Sequence, residues 1–190
     1  MAAYPGISFV VEDGGGYVDS NSYVSLADAN TYWTQHGGPN WTAITDTTLQ
    51  QYHLIQATQS IDILYGQEYY SIPLSQGTST PQVPYLQGLL YPRFVQVINN
   101  IQVLQSRYIP VQLKAAVCEV AMMSLNGQDI FPQPNQIKFA INKQVKVGGI
   151  STSISFGRQV DAERYPGFWK IDKLLYPLLR KNKTPSYLSM

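Results

Sequence analysis

Apolar residues recur at helical spacing in three stretches of the chain and alternate with polar residues in three others. Leu54, Ala57, Ile61 and Leu64 fall on one face, which Tyr52 and Ile55 widen, and the spacing predicts a helix over 46–65. Thr45 and Asp46 offer its cap and Gly66 its end. Leu113, Val117, Val120 and Ala121 give a second stripe, over 110–126. Pro110 suits the first position of that helix, and Asn126-Gly127 closes it. The third stripe starts near Phe168 and carries Ile171, Leu174, Leu175, Leu178 and Leu179. Pro177 kinks or shortens it, because proline removes a donor and crowds the preceding turn. A further helix over 26–36 is signalled by its ends. Ser25 is a good cap with Asp28 three residues on and Val24 just before, and Gly37-Gly38-Pro39 is a stop.

Alternation predicts strands elsewhere. Ile7, Phe9 and Val11 suggest a short N-terminal strand ended by Gly14, Gly15 and Gly16. The run FVQVINNIQVLQ reads as a hairpin over 94–105 that turns at Asn99-Asn100. Phe139, Ile141, Val145 and Val147 alternate with Lys138, Asn142, Gln144 and Lys146. After Gly148-Gly149, Ile150, Ile154 and Phe156 alternate with serines, giving a hairpin over 138–156. Residues 67–94 carry Pro73, Pro81, Pro84 and Pro92 without periodicity and read as a long loop that either lies on a partner or is mobile. The expected class is α+β, mainly α. A small helical core with an N-terminal strand and β-hairpins occupies 1–167, and an extended C-terminal arm occupies 168–190.

Composition changes this picture in one respect. Of 190 residues, 44% are apolar, enough for a core, but only 13% are charged, about half the usual share. Polarity must come from Gln, Asn, Ser and Thr, and there are 14 Tyr. Such a surface suits lasting contact with neighbours, since amides and phenols are cheaper to desolvate than ions. The net charge of +1 argues against a strongly basic nucleic-acid binder. The single cysteine, Cys118, excludes an internal disulfide. No apolar run approaches the ~20 residues of a membrane span. MAAYPGISFV lacks the features of a signal peptide, so a soluble protein made in a cytoplasm is expected.

Catalytic signatures are missing. His36 and His53 lie on different predicted helices without metal-ligand spacing. The glycines after Asp13 precede no Lys-Ser/Thr, so they make a turn rather than a phosphate loop. No serine sits in a GxSxG elbow. Cys118 reads as a buried, inert thiol. Neither an enzyme nor a cofactor is expected. For nucleic acid, Lys138, Lys143, Lys146 and Arg158 border the second hairpin. Phe139 and Phe156 could stack bases there, although their parity places them on its buried face.

Four segments also carry a family resemblance. They are VEDGGGYVDSNSYVSLADANTYW (11–33), LIQATQSIDILYG (54–66), LLYPRF with IPVQLKAAVCEVA (89–94 and 109–121), and KQVKVGGISTSISF with YPGFWKIDKLLYPLL (143–156 and 165–179). In this order they resemble the head–tail adaptor, or head-completion, proteins of tailed phages. Tyr91 stands where that family has Trp, and the region 69–108 looks inserted. Sequences of this type are also labelled DnaT-like single-stranded-DNA-binding, which supplies the alternative function.

The adaptor resemblance implies a structural virion protein at the head–tail junction, assembled in the host cytoplasm. It implies a dodecameric ring of copies bound to the portal protein, meeting tail or nozzle proteins and passing genomic DNA through its lumen, without a membrane. Under that reading Leu174, Leu175, Leu178 and Leu179 would fill a portal groove, with Arg180, Lys181 and Lys183 at its rim. The hairpin residues Lys138, Lys143, Lys146, Gly148 and Gly149 would face another subunit or the channel.

Overall fold

The computed structural model describes residues 8–69, 87–93, 107–132 and 167–179, and the backbone alone of 96–98, 101–103, 143–147 and 150–154. Five α-helices organise it: α1 Leu26–His36, α2 Pro39–Thr42, α3 Thr47–Tyr65, α4 Val111–Leu125 and α5 Trp169–Leu175. α1 and α3 begin where a side-chain cap places them. The Ser25 hydroxyl accepts from the Asp28 amide at 3.0 Å, and Asp46 accepts from Thr48 and Leu49 at 2.9 and 3.2 Å. Gly37 ends α1 in the left-handed region, φ 69°, where a side chain would be strained. Pro110 is the residue before α4 rather than its first turn. The Gly-Gly-Pro stop after α1 turns straight into α2, which seats Trp41 fully in the core with its indole N–H on Asn30 at 2.9 Å.

α3 lies at the centre. Leu54, Ala57, Ile61 and Tyr65 are buried, and so are the polar Gln50, Thr58 and Ser60. The polar groups are satisfied: Gln50 donates to the Trp41 carbonyl, Ser60 to that of Ile130, and the Thr58 hydroxyl accepts from the Tyr23 amide. α4 packs on α3 with Leu113, Ala116, Val117, Val120 and Ala121 inward. α5 packs on α4 through Ile171 and Leu175, behind a fully buried Phe168. A 3₁₀ turn, Tyr176–Leu178, contains Pro177 and ends the helix, after which Leu179 bridges to Tyr69.

The expected α+β class is corrected: the fold is mainly helical, and no sheet contributes to the described core. The expected N-terminal strand is a single bridge between Val11 and Ser22. Its donors and acceptors are used locally instead. Val10 donates to the Asn21 side chain, and its carbonyl accepts from the Asn21 and Ser22 amides. The expected hairpins at 94–105 and 138–156 reduce to short two-stranded pairings outside the helical core, the first of them lying against the turn Tyr176–Leu178. Backbone pairing joins only Gln96–Ile98 to Ile101–Val103 and Lys143–Val147 to Ile150–Ile154, and their side chains lie outside the described residues. A two-stranded ladder has no layer of its own to bury, so it cannot define the class. Most of the long proline-bearing loop lies outside the described residues as well.

The C-terminal arm is corrected too. Leu175, Leu178 and Leu179 are buried in the same core as α3 and α4, and Leu174 packs against its edge. Leu175, Leu178 and Leu179 are thus occupied within this chain, while Leu174 keeps one side open. Leu175→Ala should therefore lower unfolding stability by about 3 kcal/mol, through lost burial and the cavity left behind. Chemical denaturation read by circular dichroism checks this. A change below ~1 kcal/mol would return the segment to the role of a loose arm.

Candidate nucleic-acid interface

Ile171 and Leu175 of α5 face inward, and the opposite side of the helix faces out. Trp169 and Tyr176 are 59% and 63% exposed, among the most exposed large aromatics described. Lys170 and Lys173 are exposed beside them. Positions 169, 173 and 176 follow the i, i+4, i+7 spacing of a single helix face, so Trp169, Lys173 and Tyr176 form one row. The row is anchored from behind. Asp172 accepts from the Tyr65 hydroxyl at 2.6 Å, tying α5 to the end of α3. Glu119 of α4 accepts from both Lys170 and the Tyr32 hydroxyl at 2.6 Å, tying α5 to α1.

A second exposed patch forms where the N-terminal loop meets the start of α4. The Glu12 carboxylate is fully buried and accepts from the amides of Gly14, Gly16 and Tyr17 and the hydroxyl of Ser20, at 2.8–3.0 Å. The loop it organises lies directly on residues 107–108. A Cβ at Gly14, whose φ is 114°, would stand 2.7 Å from the Arg107 carbonyl oxygen. Tyr17, Val18, Arg107, Tyr108 and Val111 are all exposed in this region.

A third polar cluster is buried behind the surface. Asp62 accepts from the Tyr23 hydroxyl at 2.8 and 2.9 Å and from the Leu90 amide at 3.0 Å. Arg93 donates to the Gly66 carbonyl at 3.0 Å and lies over the rings of Tyr69 and Tyr91. Burial pushes the Asp62 carboxyl up to about 6, although the Leu90 amide, the Tyr23 hydroxyl and the Arg93 charge each pull it down. Burial likewise raises the Tyr23 and Tyr69 phenols and lowers His53, whose Nδ1 meets the Ser124 hydroxyl at 2.9 Å. The cluster fastens segment 87–93 to α3. Cys118 is buried, and desolvation pushes its thiol up to about 12, so it is no nucleophile at neutral pH. Among the described residues, no group of three His, Cys, Asp or Glu side chains could hold a metal ion, and no helix is long and apolar enough to cross a membrane.

Residues 7–189 match the model of a family described as "Putative DnaT-like ssDNA binding protein". The chain belongs to this family. No curated protein and no solved structure gives a significant match. The family match runs almost from end to end and overturns the head–tail adaptor resemblance, with its portal, tail and ring partners. The four segments quoted for that resemblance all lie inside the matched range.

The residues singled out from the sequence fare unevenly. Leu175, Leu178 and Leu179 are core, and Leu174 is half-buried on a groove wall. Arg180, Lys181, Lys183, Lys138, Gly148 and Gly149 lie outside the described residues. Lys143 and Lys146 are described by backbone alone, and Phe139 and Phe156 not at all. The exposed row of α5 is masked in the sequence, because the leucine stripe of FWKIDKLLY is the stronger pattern and overlies the complementary stripe of Trp169, Lys173 and Tyr176.

Proposed function

We propose that this protein of the DnaT-like family binds single-stranded DNA, as a binding module rather than an enzyme, through the outward face of α5. The observation that carries the reading is the row Trp169–Lys173–Tyr176: two exposed rings with a cation between them, on a helix fixed from behind by core leucines. Unpaired bases stack on such rings whatever their sequence, and lysine meets the backbone phosphate. Duplex DNA hides its base faces, so the row favours single strands. The charge of +1 agrees with binding that leans on stacking and depends only moderately on salt.

The chain carries its own reporter. Of its three tryptophans, Trp33 and Trp41 are buried and Trp169 is exposed. Titration with oligo-dT at low salt should quench the emission of Trp169. Trp169→Ala should weaken binding by about 1–3 kcal/mol, measured by anisotropy of a labelled strand. Lys173→Ala should reduce the slope of log affinity against log salt by about 0.7. Oligo-dT that neither quenches nor binds the wild-type protein at low salt would end this reading.

A further inference from the structure

A groove lies beside the α5 row. Two bridges define it: Lys114 to Asp28 at 2.9 Å, and Tyr32 to Glu119 to Lys170 at 2.6 Å each. They step along α1 and α4 in the same sense, so these helices run parallel with the groove between them. Thr31, Tyr32 and Gln35 form the α1 wall, Gln112 and Ala115 the α4 side, and Leu174 of α5 the remaining wall. The volume is about 410 Å³. Leu174 directly follows Lys173 of the stacking row. Val111, which also lines the groove, belongs to the exposed patch of Tyr17, Arg107 and Tyr108. The groove thus joins the two aromatic and basic patches.

Resting on the single-strand reading, we propose that this groove seats one nucleobase of the bound strand, which runs between the α5 row and the Tyr17–Arg107–Tyr108 patch. The lining matches a base better than a phosphate or an ion. The one cation of its lining, Lys114, is already matched by Asp28, so the groove offers no net charge to an anion. Its walls are apolar and suit the faces of a heterocycle. The amides of Gln35 and Gln112 can meet the polar edge, and the Thr31 hydroxyl, which already donates to the Ala27 carbonyl, can accept from it. The phosphates on either side of the seated base then lie outside, toward Lys173 and Arg107.

The test uses the full chain, oligo-dT, the same strand made abasic, and free thymidine. Thymidine titrated into the wild-type protein should shift the methyl resonances of Ala115 and Leu174. Ala115→Phe fills the groove. It should weaken oligo-dT binding about fivefold or more while leaving the abasic strand, the salt slope and the saturating Trp169 quench unchanged. Unmoved methyl resonances, or undiminished oligo-dT binding by a folded Ala115→Phe protein, overturn the groove assignment. So does displacement of oligo-dT by an apolar peptide that shifts those methyls where thymidine does not. Should Ala115→Phe fail to fold, Gln112→Ala and the thymidine shifts decide. If wild-type protein binds no strand at all, it is the functional reading that falls.

Discussion

Glu12→Ala should lower unfolding stability by about 3–5 kcal/mol, one of the largest losses available from a single residue outside the apolar core. One carboxylate, without exposure, satisfies three backbone amides and a serine hydroxyl. Each buried donor left unpaired costs about 1–3 kcal/mol, and the total falls short of a simple sum because the loop can relax and admit water. The loop also carries the contacts of residues 87–93: Gly88 donates to the Tyr17 carbonyl at 3.0 Å, and its missing side chain leaves room for the Val18 and Ser20 carbonyls. Hydrogen exchange should therefore speed up at Gly14, Gly16, Tyr17 and Gly88 together. Glu12→Gln should fall between the two, because its NH₂ group turns a donor toward Tyr17 and Ser20. Wild-type stability in Glu12→Ala would show that the carboxylate does not organise the loop.

Arg93→Met should cost about 3–5 kcal/mol at pH 7.5 and distinctly less at pH 5. Arg93 is buried between two tyrosine rings, and its charge is one of the influences that keep Asp62 ionised. The sign follows from the raised Asp62 carboxyl, at about 6 in the folded chain against an ordinary 3.8. Between these values the native state holds more protons than the unfolded one, so this group's contribution to stability is full below about 4 and is lost as pH rises through 6. Without the guanidinium the carboxyl rises further, and its buried charge is least tolerable above that point. Acidification protonates Asp62 and removes the need for the cation. Urea melts of both proteins at the two pH values measure the difference. A cost that is the same at both would separate Arg93 from Asp62.

Much of the helical framework was legible, because its signals are local. The Ser25 and Asp46 caps, the Gly37 stop and the stripes of α3 and α4 need only neighbouring residues. What could not be read depends on distant partners. Ile7, Phe9 and Val11 alternate as a strand would, yet Val10 is claimed by Asn21 and Glu12 by a turn of its own making. The leucines after Phe168 form the same stripe whether they meet a partner protein or α4; only the structure decides for α4. Polar residues inside α3, such as Thr58 and Ser60, break the pattern because their bonds reach Tyr23 and Ile130. The proposed interface is the least legible part, since an exposed Trp and Tyr matter only once the opposite face is known to be filled.

The ties that close this fold join residues far apart in sequence: Asp28 with Lys114, Tyr32 with Glu119, Tyr65 with Asp172. Such contacts favour slow, late closure over early local collapse. During synthesis, at about 5–20 residues per second, α3 and α4 wait unfinished until the segment around Leu175 follows them. The same short helix then completes the core and presents Trp169 and Tyr176 outward. A nascent or prematurely terminated chain therefore lacks the assembled row, and the proposed binding surface arrives together with the finished fold.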